Sequence, residues 1–335
     1  MMNVGVFNTI TGGIERFLPF AEEYKNELQL IDFACPPTMD NLGLIKETGC
    51  EALLYYNPKR ENDAFFRRLS EMGIKYLSTC SAGYDHFNIA AMKKYGIKGS
   101  NVPFYSPNAI AEHTVLLTLS VLRNLREQLV RIGRYEYAIE GLMGREIRNM
   151  AIGVIGTGRI GCTTIKCLSG FTPKKIYAYS PHPKNEMLEY VEYTDLDFLY
   201  QNSDVIIFHC AYDGTNHHMV NAETLSKMKD GVVLINTARG ALFDTTAVTN
   251  AIKSGKIGGL GIDVIEGEEK LKGKNFKQNP IPELEELLSY YNVIYTHHSA
   301  FFTDEAYRNL SEIAIENLVD YARTGKCSRE LVLLP

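Results

Sequence analysis

Short apolar runs alternate with stretches of helical periodicity along the first hundred residues of the chain. Helical spacing of apolar positions is clear at 63–72 and 88–95. The apolar runs that predict strands are residues 3–7, 28–32, 52–56, 75–78 and 97–100. Strands that alternate with helices form parallel sheets, so this segment predicts a small doubly wound α/β domain.

A second series of the same kind begins at Ala151. Its predicted strands are residues 151–155, 175–179, 205–208, 232–235, 259–263 and 293–296. Six strands with intervening helices match a complete dinucleotide-binding sheet. A last helix, predicted at 304–323, follows this sheet and is expected to return to the first domain. We therefore expect two doubly wound parallel-sheet domains. A Rossmann domain at 104–299 is inserted into a discontinuous flavodoxin-like domain of 1–103 plus 300–335, with a cleft between the domains.

Between the two series lies a helix that is apolar on most of its surface. Ser106 suits its N-cap and Pro107 suits the first helical position. Apolar residues then dominate from Ile110 to Leu125, and a helix of this kind must be buried. We expect it at a domain junction or at a subunit interface.

The strongest motif is the sequence GTGRIG, which directly follows the predicted strand 151–155. Gly156 permits a tight turn, Gly158 lets the backbone approach a pyrophosphate, and Gly161 lets the helix pack on the strand. The helix amino terminus then presents N–H groups and a positive dipole end to phosphates. Glycine-rich turns are common, but the strand before this one and the helical spacing after it favour dinucleotide binding.

Composition narrows the class of protein. The chain has 335 residues, 45% hydrophobic and 22% charged, with a formal net charge of −5. It carries no basic footprint for nucleic acid and no polybasic membrane patch, so we expect neither partner. No signal peptide is visible at the start. Seven cysteines without a CxxC pair indicate reduced thiols in a cytoplasmic protein, and no residue is assigned to a metal.

Ligands of open parallel sheets bind beyond the carboxyl ends of the strands. Three chemically distinct side chains follow successive predicted strands there: Arg239, Glu268 and His298. Arginine can hold a carboxylate with two hydrogen bonds, and histidine can donate a proton to a carbonyl that receives a hydride. Each residue also has an ordinary structural interpretation: a turn cap, a solvated acidic loop and a core histidine. Their coincidence at one edge favours catalysis.

At this point the sequence resembles the D-isomer-specific 2-hydroxyacid dehydrogenases, and within them the D-lactate dehydrogenase branch that includes the vancomycin-resistance enzymes. The segments that carry the resemblance span nearly the whole chain. They are residues 81–85, 101–113, 156–161, 235–240, 263–268 and 298–303. The family implies a homodimer, with the helix from Ser106 to Leu125 in its interface.

The resemblance also implies individual roles. Arg239 binds the substrate, Glu268 partners the histidine, and His298 is the acid/base; His297 stands where relatives have proline. The implied substrate residues are Tyr56, Ala82, Gly83, Tyr105 and Phe301. The implied cofactor residues are Gly156, Gly158, Arg159, Ile160, Gly161, Ser180, Cys210, Ala211, Asn216, Thr237, Ala238 and Asp263.

Three positions depart from the family pattern. Cys80 replaces an arginine, which leaves the pocket charge open, and Ala211 replaces a proline with little expected consequence. Ser180 stands where an acid should bind the ribose 2′-hydroxyl, while His182 and Lys184 nearby could approach a 2′-phosphate. NAD is therefore the expected cofactor, with NADP as an open alternative.

The sequence thus predicts reversible, NAD(P)-dependent reduction of a small 2-keto acid to its D-2-hydroxy acid, with pyruvate and D-lactate as the leading pair. One alternative is a dehydrogenase for bulkier branched or aromatic 2-keto acids. Another, of a different class, is a dinucleotide-sensing protein similar to the family's corepressors.

Overall fold

Two compact units make up the chain in the computed structural model. The structure describes residues 1–7, 13–35, 37–55, 61–84, 86–268, 271 and 281–331. The first unit comprises Met1–Ser106 and Thr303–Pro335, and the second comprises Pro107–Phe302. Both divisions lie three residues after the boundaries that the sequence predicts.

The first unit is built on a five-stranded parallel sheet. Its strands are β1 (Met2–Val6), β2 (Leu28–Asp32), β3 (Ala52–Leu54), β4 (Tyr76–Ser78) and β5 (Lys98–Ser100). Its helices are α1 (Leu18–Glu22), α2 (Asp63–Glu71), α3 (Ile89–Lys94) and α11 (Asp304–Thr324). The spatial order β2-β1-β3-β4-β5 is that of flavodoxin. The carboxy-terminal helix α11 packs on this sheet, and the buried Ser78 hydroxyl donates to the Ala314 carbonyl (3.1 Å).

The second unit is built on a seven-stranded parallel sheet. Its strands are β6 (Ala151–Ile155), β7 (Lys175–Tyr179), β8 (Glu192–Tyr193), β9 (Val205–Phe208), β10 (Val232–Asn236), β11 (Ile257–Ile262) and β12 (Val293–Tyr295). Its helices are α4 (Pro107–Leu122), α5 (Leu125–Gly133), α6 (Arg159–Ser169), α7 (Leu196–Asn202), α8 (Ala222–Lys227), α9 (Thr245–Lys253) and α10 (Pro282–Ser289).

The strand order of the second sheet, β12-β11-β10-β9-β6-β7-β8, is the Rossmann order. The predicted fold class, with two parallel-sheet α/β domains, is confirmed. Strands β6, β9 and β10 are buried along their whole length, as expected of central strands covered by helices on both faces. The edge strand β8 was not predicted, because two residues carry no hydrophobic run.

The long central helix is shorter than predicted. It ends at Leu122 rather than Leu125, because Asn124 adopts a left-handed backbone conformation (φ 51°) that interrupts the helix before α5. Glycines in β11 let α4 approach the sheet closely. A Cβ at Gly259 would lie 2.3 Å from Val121 Cγ1, and one at Gly261 would lie 3.2 Å from Leu117 Cβ. Half of the residues of α4 are buried, but Leu116 is 54% exposed.

Two further properties of the chain bear on the class of protein. Among the described residues, no helix combines the length and the apolar character that a membrane crossing requires. All seven cysteines are free thiols.

Candidate active site

The glycine turn follows β6 at the carboxyl edge of the seven-stranded sheet. Gly156 has a positive φ of 97°, and a Cβ there would lie 2.6 Å from the Cys210 nitrogen. A Cβ at Gly161 would lie 2.0 Å from the Gly156 carbonyl oxygen. At Gly158, directly before α6, a Cβ would meet no heavy atom within 4 Å, so the backbone faces open space. The turn is therefore close-packed inside and open outside, which fits a pyrophosphate approaching the helix amino terminus.

The end of β7 presents Ser180 in place of a carboxylate. The Ser180 hydroxyl accepts a hydrogen bond from the His182 amide (3.3 Å). The Lys184 amide donates to the Tyr193 hydroxyl (3.1 Å), and that hydroxyl donates to Thr157 Oγ1 (3.0 Å). These bonds tie residues 180–184 back to the glycine turn. A hydroxyl, an exposed imidazole and an ammonium group therefore follow this strand.

The loop after β9 lies against the same turn. The Asn216 side-chain amide donates to the Ala211 carbonyl (2.7 Å) and its oxygen accepts from the Asp213 amide (3.2 Å), which closes the loop on itself. Burial raises the pKa of the Cys210 thiol to about 11, so the thiol stays protonated. Burial lowers the pKa of His209 to about 3, and this neutral ring contacts the Thr164 hydroxyl (2.8 Å) in α6.

Asn236 organises the loop that carries Arg239. This asparagine, at the end of β10, is fully buried. Its amide group donates to the Arg239 carbonyl (2.9 Å), and its oxygen accepts from the Ala238 amide (2.9 Å). The Arg239 side chain donates through Nη1 to the Ala238 carbonyl (2.8 Å). The turn thus holds the arginine backbone and one terminal nitrogen of its guanidinium in place.

The loops after β10 and β11 touch at Gly240. A Cβ on Gly240 would lie 2.1 Å from the Ile265 carbonyl carbon and 2.3 Å from the Glu266 nitrogen. No side chain can occupy that space without a backbone shift. The absence of a side chain here brings the residue that follows Arg239 into contact with the turn that carries Glu268.

Glu268 and His298 are joined by a hydrogen bond between their side chains. Glu268 Oε1 contacts His298 Nδ1, and Glu268 Oε2 accepts a hydrogen bond from the Ile265 amide (3.1 Å). The carboxylate is therefore anchored on one oxygen and directed at the imidazole by the other. A carboxylate on Nδ1 keeps a proton there, which leaves Nε2 as the nitrogen that exchanges a proton with a ligand. The neighbouring His297 is exposed.

The turn that bears His298 is held by Asp263. His298 has a left-handed backbone (φ 55°), and its amide donates to the Asp263 carbonyl (2.8 Å). The Asp263 carboxylate, 1% exposed, accepts from the amides of Ser299 and Ala300 (both 2.9 Å) and from the Thr296 hydroxyl. The sequence predicts that Asp263 contacts the cofactor. In the structure, the Asp263 carboxylate and carbonyl accept hydrogen bonds from the backbone of the turn that bears His298.

Comparison with known proteins decides the family. Residues 115–300, more than half of the chain, match the model described as D-isomer specific 2-hydroxyacid dehydrogenase, NAD binding domain. The chain belongs to the D-isomer-specific 2-hydroxyacid dehydrogenases. The resemblance predicted from the sequence is thereby confirmed, and the dehydrogenase contains an NAD-binding domain.

Relatives with different names match nearly the whole dehydrogenase. An aromatic 2-oxoacid reductase of Clostridium sporogenes (strain ATCC 15579) is 39% identical over 322 residues, which cover 95% of this chain and 96% of the relative. The D-lactate dehydrogenase of Escherichia coli (strain K12) is 33% identical over 334 residues, which cover 99% and 100%. A solved structure of D-2-hydroxyisocaproate dehydrogenase has a TM-score of 0.88 and 32% identity, and covers 98% of this chain and 99% of that one. These relatives are oxidoreductases, so the dehydrogenase is an enzyme.

The remaining predicted substrate residues are divided between the two units. Phe301 lies in the second unit, with its ring edge-on to the His298 ring at a centroid distance of 6.5 Å. Ala82, Gly83 and Tyr105 lie in the first unit. There the Asn101 amide donates to the Ala82 carbonyl, the Ser81 hydroxyl donates to the Gly83 carbonyl and the Asn309 amide donates to the Tyr105 carbonyl (all 2.6 Å). Tyr56 lies outside the described residues.

Sequence reasoning missed four polar residues of this site, which support its loops. They are His113, Thr114, Asn236 and Thr296. Asn236 ends β10 and Thr296 directly follows β12, so their positions in the sequence could have indicated a role in the site. His113 ends the segment 101–113 that carries the family resemblance, but nothing in the sequence shows which loops His113 and Thr114 of α4 contact.

The close approach at Gly240 predicts that Gly240→Ala will damage the enzyme. The added methyl forces the 239–240 and 265–266 backbones apart, at a cost of about 1–3 kcal/mol typical of overpacking, and displaces Arg239 from Glu268. The melting temperature in thermal unfolding and the turnover number with a keto acid should both fall. In the control Gly133→Ala, the methyl meets no heavy atom within 4 Å. A Gly240→Ala enzyme with unchanged melting temperature and turnover would contradict the steric argument.

Proposed function

We propose that the enzyme reversibly reduces a small 2-keto acid to its D-2-hydroxy acid, with pyruvate and D-lactate as the leading pair. The observation that carries the proposal is the Glu268–His298 pair, which stands at the same sheet edge as Arg239 and the glycine turn. A carboxylate-supported imidazole and an arginine are the groups that a keto acid requires for proton delivery and carboxylate binding.

Each side chain has a distinct task in this proposal. Arg239 binds the substrate carboxylate and orients its carbonyl. Protonated His298 donates from Nε2 to the carbonyl oxygen, and Glu268 holds Nδ1 and stabilises the imidazolium before transfer. NAD, held by the glycine turn and the amino terminus of α6, supplies or accepts the hydride when bound. From the resemblance, Ala82 and Gly83 of the first unit bind the substrate carboxylate through their backbones.

The size of the substrate side chain separates two candidate functions. The Phe301 ring beside His298 favours a small substituent at the keto carbon, because an aromatic side chain already occupies volume there. A second candidate, reduction of bulkier aromatic or branched 2-keto acids, is favoured by the names of two relatives. A panel of pyruvate, 4-methyl-2-oxopentanoate and phenylpyruvate compared by kcat/KM separates the two.

The proton-transfer assignment predicts that His298→Gln loses at least about 10²-fold in kcat, the lower range for general acid catalysis. Cofactor affinity, measured by NADH fluorescence, should change little. Arg239→Gln should mainly raise the keto-acid KM. His297→Gln, next in the chain but exposed, serves as the matched control and should keep wild-type kinetics. A fully active His298→Gln enzyme would refute the assignment.

We further propose that NAD is the preferred cofactor and that NADP is also used. Support comes from the group of Ser180, His182 and Lys184 after β7, where no carboxylate repels a 2′-phosphate. We expect Ser180→Asp to shift the ratio of kcat/KM for NADH over NADPH at least about tenfold toward NADH, since one unfavourable charge contact exceeds about 1.4 kcal/mol. Ser180→Ala is the control. A wild-type enzyme that already excludes NADPH would defeat the idea.

We also propose that the enzyme is a homodimer in the cytoplasm. The compartment is supported by the seven free thiols. The dimer is supported by residues 134–144, here termed the apolar arm. Four of its large apolar side chains are exposed (Tyr135 97%, Tyr137 91%, Ile139 79% and Met143 92%), and Leu142 is half-buried. Single exposed apolar residues are ordinary, but a contiguous group marks an interaction surface.

Hydrogen bonds hold the arm in shape, and a groove lies on the same unit. Arg131 donates to the Ala138 and Glu140 carbonyls (3.3 and 2.8 Å), and Asn124 donates to the Met143 carbonyl (3.1 Å). A groove of about 430 Å³ lies beside α5, and its lining is mostly apolar: Leu125, Leu129, Val130, Leu288, Val293 and Ile294, with Ser120, Arg126 and Tyr295. An apolar arm and an apolar groove on one chain suit a two-fold pair in which each copy receives the other's arm.

This proposal predicts a mass in solution of twice 37.7 kDa by sedimentation. Replacement of an arm side chain by a charge, as in Ile139→Glu, should shift the enzyme toward the monomer, because the carboxylate would be buried without a partner. Lys25→Glu, on the first unit, is the charge-changing control. A monomeric wild type, or a dimer that survives Ile139→Glu and Tyr137→Glu together, would exclude the arm.

A further inference from the structure

Two consecutive residues of α4 reach two different loops of the active site. Thr114 Oγ1 lies 2.9 Å from Thr237 Oγ1, in the loop that carries Arg239. His113 Nε2 lies 2.9 Å from Thr296 Oγ1, in the turn that carries His298. Both bonds join residues far apart in sequence, and all four side chains are buried or half-buried.

The direction of the Thr114 bond follows from a count of protons. The Thr114 hydroxyl donates its only proton to the Ile110 carbonyl, one helical turn earlier (2.7 Å). Its oxygen must therefore accept from the Thr237 hydroxyl. Thr237 is 8% exposed and Thr114 is fully buried, so a Thr237 hydroxyl without this acceptor would be a buried, unsatisfied donor. The bond fixes Thr237, the second residue of the Asn236–Arg239 turn.

The direction of the His113 bond follows in the same way. The Thr296 hydroxyl donates to the Asp263 carboxylate, so its oxygen accepts from His113 Nε2–H. Burial lowers the pKa of His113 despite the Asp263 carboxylate 3.6 Å away, which favours the neutral imidazole with its proton on Nε2. The chain of bonds runs from His113 through Thr296 to Asp263, which holds the backbone of residues 298–300.

We propose that His113 and Thr114 are positioning residues that act on separate parts of the reaction: Thr114 aligns Arg239 through Thr237, and His113 aligns His298 through Thr296 and Asp263. Neither touches the substrate in this proposal. One rigid helix thus sets the spacing between the carboxylate-binding group and the proton donor. The inference rests on the roles proposed above for Arg239 and His298.

Substitutions of the two residues should affect different kinetic parameters. Thr114→Val keeps the shape but removes the acceptor, and should raise the keto-acid KM roughly tenfold, the scale of one lost buried hydrogen bond, with kcat and NADH affinity nearly unchanged. His113→Leu should lower kcat roughly tenfold and leave the keto-acid KM nearly unchanged. Thr114→Ser and His113→Gln, which retain the polar groups, should restore most of the loss.

Thr118→Val is the matched control on the same helix. Thr118 is fully buried, and its hydroxyl donates only within α4, to the Thr114 carbonyl (2.7 Å). It should lower thermal stability without separating KM from kcat. If Thr114→Val and His113→Leu change KM and kcat alike, or behave as Thr118→Val does, the positioning role is wrong.

A measurement that needs no turnover separates this inference from the proposed function. In Thr114→Val, amide hydrogen exchange should become faster in residues 236–240 and stay unchanged in residues 296–300. In His113→Leu, it should become faster in residues 296–300 and stay unchanged in residues 236–240. Exchange that quickens in both loops, or in neither, overturns the inference. A wild-type enzyme that reduces no 2-keto acid would instead refute the proposed function. The exchange rates would still test whether the Thr114–Thr237 and His113–Thr296 contacts order their loops.

Discussion

Direct contact between backbones at glycines determines the carboxyl edge of the seven-stranded sheet. At Gly156, Gly161 and Gly240, a Cβ would lie 2.0–2.6 Å from a backbone atom of a residue that is not its neighbour in sequence. The contacts at Gly156 and Gly240 each join two loops that a side chain would separate, and the contact at Gly161 closes the glycine turn on itself. The first two contacts shape the dinucleotide turn, and the third brings the Arg239 loop against the Glu268 turn. Because the strands are parallel, all of these loops lie at the carboxyl edge of the sheet. Side chains on different loops can therefore come within contact distance of one another.

Buried polar residues then fix the orientation of the functional side chains. Asn236 closes the arginine turn, and Asp263 holds the histidine turn through three hydrogen bonds to its carboxylate. A buried carboxylate with its oxygens occupied is expensive to move, since each partner would lose its bond. His298 can therefore keep a left-handed backbone, and Glu268 can meet it from a separate loop. The reactive residues are few, and most of the structure near them serves to hold them.

Much of the fold was predictable because hydrophobic periodicity reports burial directly. Strands 28–32, 151–155, 175–179 and 205–208 were predicted with their observed bounds. The end of α4 was missed because Asn124 breaks the helix by its backbone conformation and not by its hydropathy. The candidate residues Arg239, Glu268 and His298 were found from strand ends and from the family resemblance, and the choice of His298 over His297 agrees with the contact to Glu268. Their roles and the predicted cleft stay predictions.

The sequence alone determined the order of strands and helices, the position of the glycine turn and the residue types at each strand end, because these depend on local periodicity and on side chains near in sequence. Tertiary structure decided which of these residues meet. Glu268 lies thirty positions from His298, and Thr114 lies 123 positions from Thr237. Contacts of that separation depend on how strands and helices pack in three dimensions, to within fractions of an ångström at Gly240, and no pattern of neighbouring residues encodes such a distance.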